Sequence, residues 1–157
     1  MTAIAATRLE VEHLFDLAVE LEPPQVITTP FGTRVSYIVR SGRLVGERLN
    51  GQLLPGGGDW LVFGSDGVGR LDVRATVRAD DGAFVHLTST GVVDLSDEAK
   101  ARFGAGERIR AEEMYARSQL RFETDPHGPH GWLNAITTVA INELAPGHVD
   151  YRVFRVL

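Results

Sequence analysis

Apolar and polar residues alternate along much of the chain, and this alternation predicts strands. Over residues 14–22, Phe15, Leu17, Val19 and Leu21 oppose Asp16, Glu20 and Glu22, a period of two. Leu14, Phe15, Ala18 and Leu21 also form a helical stripe, but Pro23-Pro24 and the alternation decide for a strand. Further strands are predicted over 35–39, 48–54, 60–63, 70–78, 84–90, 120–124, 132–142 and 149–156. Turns are predicted at Thr29-Pro30-Phe31-Gly32, Ser65-Asp66-Gly67, Asp80-Asp81-Gly82 and Ala145-Pro146-Gly147-His148. One short helix is predicted over 96–103. Ser96 caps it, Asp97 and Glu98 suit its positive end, Lys100 and Arg102 suit the other, and Gly104 stops it. A second helical turn is expected over 111–115. About eight to ten short strands at regular spacing predict an all-β, mostly antiparallel fold, a closed or nearly closed β-barrel with one or two short helices.

The hairpin around Asp81-Gly82 has a register that the pattern decides. A two-residue turn would set Arg78 against Val85 and mix polar with apolar. A three-residue loop, Asp80-Asp81-Gly82, pairs Val77 with Val85, Ala75 with Leu87, Arg74 with Thr88 and Asp72 with Thr90. Because a slip of one residue moves every side chain to the other face, the matched register wins, with Gly82 in the left-handed position.

Composition narrows the function classes. The chain has 157 residues, enough for a single domain spanning 1–157, with a flexible N-terminus expected over 1–12. It has no cysteine, which removes disulfides and thiolate metal sites and agrees with a cytoplasmic location. Its net charge of −5 argues against nucleic acid as a partner. No stretch approaches the ~20 apolar residues of a membrane span, and the N-terminus lacks the basic start and apolar core of a signal peptide.

An ordered set of short motifs adds a resemblance. Leu54-Pro55-Gly56-Gly57-Gly58-Asp59-Trp60, Asp66-Gly67, Leu71-Asp72-Val73-Arg74, Asp80-Asp81-Gly82-Ala83, Arg121-Phe122-Glu123-Thr124 and Trp132-Leu133-Asn134 follow one another in this order. So does the N-terminal Leu14-Phe15-Asp16-Leu17, with Glu20-Leu21 and Pro23-Pro24. Together they resemble domain-of-unknown-function family 3237 from about Leu14 to Val156. The resemblance implies a closed, barrel-like fold of single-domain bacterial and fungal proteins, and no particular reaction. Arg40-Ser41-Gly42 stands where the family usually has a Gly-Gly pair, and Ala75-Thr76 follows Arg74 where a tyrosine is usual. A ligand held by that tyrosine elsewhere in the family would differ here.

Several residues are candidates for chemistry. Asp72 and Arg74 share one face of a strand, as do Arg121 and Glu123. Such residues either form the solvated outer face of an antiparallel sheet or line the polar lumen of a barrel wide enough for one small ligand. In the second case Asp72, Arg121 and Glu123 are the catalytic candidates, and a carboxylate beside a guanidinium becomes a positioned acid–base group. Trp60, Arg74, His86, Trp132 and Asn134 are the substrate-binding candidates, the tryptophans as aromatic walls against a default of core packing. The resemblance adds weight to Asp72, Arg121, Glu123 and Asn134, which lie at matching places. Pro55-Gly56-Gly57-Gly58-Asp59 lacks the Lys-Ser or Lys-Thr and the helix of a phosphate loop, and reads as a tight turn or as a loop over a cavity mouth. His127-Gly128-Pro129-His130 could chelate a metal only with a further ligand such as His86, Glu123 or His148; no metal site is expected.

Three functions remain open. The first is an acid–base enzyme of lyase, isomerase, hydratase or cyclase type, needing no cofactor, acting on a small, oxygenated, partly apolar molecule in the barrel. The second is a non-catalytic small-molecule-binding barrel. The third is a packed structural partner without a cavity. The expected partners are a small-molecule ligand and, as an open alternative, a second copy in a homodimer.

Overall fold

In the computed structural model, which describes residues 8–157, the alternation resolves into ten strands. They are β1 (Val11–Leu21), β2 (Gln25–Thr29), β3 (Gly32–Val45), β4 (Gly51–Leu53), β5 (Gly58–Phe63), β6 (Gly69–Ala79), β7 (Phe84–Asp94), β8 (Tyr115–Glu123), β9 (Thr138–Ala145) and β10 (His148–Val156). One helix, α1 (Asp97–Gly104), and a 3-10 turn, Gly131–Ala135, interrupt them. Every pairing is antiparallel. The order β1-β10-β9-β8-β7-β6-β4-β3 closes on itself because β3 also pairs with β1. β4 and β5 occupy one station between β3 and β6. The wall is therefore a closed barrel of eight strand positions, as the alternation predicts, and β2 hangs on β3 as a hairpin outside it.

The predicted hairpin register is the observed one. Val77 faces Val85, Ala75 faces Leu87, Asp72 faces Thr90, and Arg78 faces Phe84. Gly82 has φ of 93°, the left-handed conformation its loop requires.

One barrel end is filled. Phe15, Leu44, Leu49, Val77, Val85, Leu133 and Val153 are all but inaccessible there, and Phe15 meets Phe122 edge-to-face at 5.9 Å. The opposite end carries α1, whose Ala99 and Phe103 pack with Val93, Leu95, Ile109 and Met114. Ser96 caps α1 by accepting from the Ala99 N–H at 3.1 Å. No helix among the described residues is long and apolar enough to cross a membrane.

Four local expectations are corrected. Residues 111–114 form turns and a bend, where Glu113 accepts from the Arg110 N–H and the Arg102 guanidinium, so no helix forms and Tyr115 begins β8. The chain at 132–142 is not one strand. Trp132, Leu133 and Ile136 have helical spacing, so Gly131–Ala135 coils to plug the filled end before β9 begins. Over 48–54 only Gly51–Leu53 pairs, because Asn50 donates to the Gly46 carbonyl at 2.8 Å and turns Leu49 into the core. α1 runs through Gly104, and the left-handed glycine after it is Gly106, φ 94°. β2 was not predicted. The flexible segment expected over 1–12 meets β1 at Val11, and residues 1–7 of it lie outside the described residues.

Candidate functional site

The apolar side of each alternating strand is the inner side. A cavity of about 380 Å³ lies between the filled end and α1. Its wall is mostly aliphatic, with Leu17, Val19, Val39, Leu53, Val73, Leu87 and Leu120 among the lining residues. That size is in the lower part of the roughly 300–1,000 Å³ of small-molecule sites. Five polar side chains interrupt the apolar wall: Tyr37 on β3, Asp59 on β5, Ser89 on β7, Asn142 on β9 and Tyr151 on β10. Each takes an inward position, Tyr37, Asn142 and Tyr151 between apolar residues two positions away on both sides, and Asp59 and Ser89 with an apolar residue, Leu61 and Leu87, on one side and a glycine on the other. Lys100 and His148 join the lining at the open end.

Asp59 owes its place to the glycine run before it. The segment crosses from β4 to β5 within one station of the wall, and its backbone lies hard against both neighbours. A Cβ on Gly57 would sit 2.6 Å from the Arg74 carbonyl oxygen, and one on Gly58 would sit 2.7 Å from that of Tyr37. Glycine is what allows this approach. The chain then pairs Asp59 with Tyr37 on one side and Val73 on the other. The Asp72 N–H donates to Asp59 Oδ1 at 3.0 Å, fixing the carboxyl and leaving Oδ2 free.

Burial pushes the Asp59 carboxyl up to about 6; the Asp72 N–H works against this, and the Asp72 charge adds to it. Burial also raises the Tyr37 and Tyr151 hydroxyls, and the Asp59 charge raises both further. Both phenols thus stay protonated as neutral donors while the carboxyl titrates near neutrality. Opposite them, the Ser118 hydroxyl donates to Asn142 Oδ1 at 3.4 Å, and Ser89 Oγ has no protein partner.

The residues singled out by sequence do not converge on this cavity. Asp72, Arg74, His86, Arg121, Glu123 and Trp60 stand on the outer face of β5 to β8. The Asp72 side chain is 49% exposed and meets Arg74 at 3.2 Å, and Arg74 lies 5.9 Å from the Trp60 ring. Arg121 and Glu123 are exposed opposite Thr88 and His86. The reason is parity: their immediate neighbours along the strands, Leu71, Val73, Leu120 and Phe122, take the interior. Trp132 packs at the filled end under the Arg48 guanidinium, 3.9 Å away. Asn134 bonds both ways to the Thr124 backbone, at 2.9 and 3.0 Å, and so ties down the end of β8. His130 Nε2 is 2.9 Å from Asp81 Oδ2, and His127 is exposed. Among the described residues, no three His, Asp or Glu side chains gather as a metal site would require.

The model of a family of proteins of unknown function, DUF3237, matches residues 9–156. The chain belongs to this family. A UPF0311 protein of Clostridium acetobutylicum is 30% identical over 118 residues, which cover 74% of this chain and 75% of that one. The crystal structure of a conserved protein of unknown function from Rhodopseudomonas palustris superposes with a TM-score of 0.90 at 25% identity, covering 97% of this chain and all (100%) of that one. A crystal structure described as that of an enzyme from Penicillium herquei has a TM-score of 0.72 at 16% identity, covering 99% and 100%. At that identity the likeness is one of fold. The DUF3237 resemblance read from the motifs is therefore correct, and so is the barrel it implies.

Proposed function

We propose that the barrel is an acid–base enzyme of lyase, isomerase, hydratase or cyclase type, working through its own side chains on a small, oxygenated, partly apolar molecule in the lumen. Asp59 is the proton-transfer group. The observation that carries this reading is a lone carboxyl on an apolar wall, held by one backbone N–H and pushed up to about 6. A group whose pKa lies near the working pH is best placed both to take and to return a proton. Ionised Asp59 removes a proton from substrate oxygen or carbon through Oδ2. Negative charge developing on a substrate oxygen is met by the neutral hydroxyls of Tyr37 and Tyr151, and the proton returns from Asp59 to another atom of the same molecule. Such chemistry contributes about 10²–10⁴-fold.

The second reading, a non-catalytic small-molecule barrel, draws on the aliphatic majority of the same wall. One experiment separates the two. Wild type and Asp59→Asn are incubated with fractionated metabolite extracts, and products are followed by mass spectrometry. Isomerisation or cyclisation changes retention at constant mass, and hydration or elimination changes mass by one water. Conversion by wild type that falls at least a hundredfold in the variant supports catalysis at Asp59. Equal conversion by both would sink it, and a compound that co-purifies unchanged with both supports the binder.

A further inference from the structure

We infer that Ser89 is a ligand-binding hydroxyl, spaced from the Asp59 station along one row of the lumen, and that the molecule held there is not an anion and carries two oxygen functions. The inference rests on the lumen being the site, as proposed above, and goes on to the class of molecule it takes.

Ser89 is 2% exposed and lies on an inward position of β7, on the cavity wall. Its Oγ has no hydrogen-bond partner in the protein. The other inward serine, Ser118, shows the contrast, since its hydroxyl is satisfied by Asn142. A buried hydroxyl left unpaired is costly, and alanine would fill an apolar wall without that cost. A ligand oxygen lying against the wall removes the penalty by accepting from Ser89.

The strand register sets the spacing of the two stations. Asp59 pairs with Val73, and Val73 pairs with Ser89, so the two polar residues stand in one row with one strand between them. At about 4.8 Å per strand they leave the wall roughly 10 Å apart, and both incline inward across its curve. One ligand oxygen addresses Asp59 Oδ2 and the other addresses Ser89 Oγ, with an apolar body between them. Charge selects against an anion at this depth, because the row holds a carboxyl. The cationic side chains among the described lining residues, Lys100 and His148, are at the open end and already engaged, Lys100 with Asp97 and His148 with Glu20 and Asp150.

Two monoterpenoid alcohols test the proposal by calorimetry on the whole chain. p-Menthane-1,8-diol carries hydroxyls at its two ends, and α-terpineol carries one. Wild type is expected to bind the diol roughly three- to tenfold more tightly, the increment of one hydrogen bond. Ser89→Ala should abolish that preference, while Ser89→Thr, which keeps a hydroxyl, should restore it. Thermal unfolding of each variant confirms that the fold is intact. If Ser89→Ala keeps the full preference for the diol, Ser89 is no binding group, although the lumen reading survives. If wild type binds neither alcohol at millimolar concentration, the ligand class is wrong. Failure of the acid–base reading registers separately, as undiminished turnover by Asp59→Asn with the diol preference intact.

Discussion

Tyr37 and Asp59 are direct cross-strand partners on β3 and β5, and both face the lumen. A phenol and a carboxyl thus share a wall otherwise lined mainly by hydrocarbon. Burial raises both, and the Asp59 charge raises Tyr37 further. The pair has one low-cost state, in which both groups are protonated, and near neutrality Asp59 is driven out of it.

The pH dependence of stability should expose that conflict. The folded-state value of Asp59 is about 6 against 3.8 for an unperturbed carboxyl. Between these values the folded chain binds more protons than the unfolded one, so this group's contribution falls as pH rises through the window. Two pH units at about 1.4 kcal/mol each put the full effect at up to about 3 kcal/mol. Asp59→Asn, which cannot ionise, should be more stable than wild type at pH 7 and lose the advantage near pH 4. Urea unfolding at a series of pH values measures this, and a difference independent of pH would refute the burial argument.

Substitutions on the outer wall should leave the lumen undisturbed. Asp72→Asn removes a half-exposed charge paired with Arg74 but keeps the backbone N–H that holds Asp59. An exposed ion pair contributes about 0–1 kcal/mol, so stability should change by less than about 1 kcal/mol and ligand affinity by less than about twofold. Arg121→Gln should behave alike. A hundredfold loss of turnover in either variant would return the chemistry to the outer face.

The strands and the barrel were legible because period-two alternation is the signature of a wall with one buried face, and the Asp80-Asp81-Gly82 register followed from matching that face across two strands. The polar residues of the lumen were passed over by asking which face gathers the most polar residues. Asp72, Arg74, Arg121 and Glu123 gather on the solvated side, as antiparallel walls usually arrange. The informative signal was the reverse, a polar residue standing alone in an apolar row. Ser89 follows Val85 and Leu87, Asn142 lies between Ala140 and Leu144, and Tyr151 lies between Val149 and Val153. Asp59 was hidden more deeply, because Pro55-Gly56-Gly57-Gly58 reads as a turn. Its parity shows only when Leu61 and Phe63 are counted backward along β5. Pairing of that glycine segment with β3 and β6 depends on residues far apart in the chain, which local pattern does not encode.

The glycine crossing should be intolerant of side chains. A Cβ on Gly58 would stand 2.7 Å from the Tyr37 carbonyl oxygen, a backbone atom that can move only with β3. Gly58→Ala should therefore destabilise by at least about 2 kcal/mol and displace Asp59, weakening ligand binding in whatever fraction still folds. By contrast, nothing lies within 4 Å of a Cβ on Gly104, and Gly104→Ala, inside α1, should be neutral or stabilising by up to about 1 kcal/mol. Thermal unfolding of the two variants side by side makes the comparison.

The open end of the barrel should be held by a clamp that weakens as pH rises. His148 begins β10, with Nδ1 2.7 Å from Glu20 Oε1 on β1 and Nε2 2.8 Å from Asp150 Oδ1. Asp150 also accepts from Arg108 at 2.6 Å, and Arg40 lies 3.5 Å from Glu20. Burial pulls His148 down, but the hydrogen bonds and charges of Asp150 and Glu20 outweigh it and hold the imidazole above its ordinary value. A histidine raised on folding contributes stability in full below its unfolded pKa of about 6.5 and loses it as pH rises through the folded value. Asp150 is lowered on folding, so its own contribution is lost as pH falls into the carboxylate range. The clamp is therefore strongest between roughly pH 5 and 6.5, where the His148 imidazolium and the Asp150 carboxylate are charged together. His148→Gln should destabilise most in that window and progressively less towards pH 9. Amide exchange at Leu21, whose N–H donates to the Gly147 carbonyl at 2.8 Å beside the clamp, should accelerate in the variant at pH 6 beyond any change at the filled end. A loss of stability that grows with pH, or exchange that changes equally at both ends, would mean that His148 fills space at the open end without clamping it.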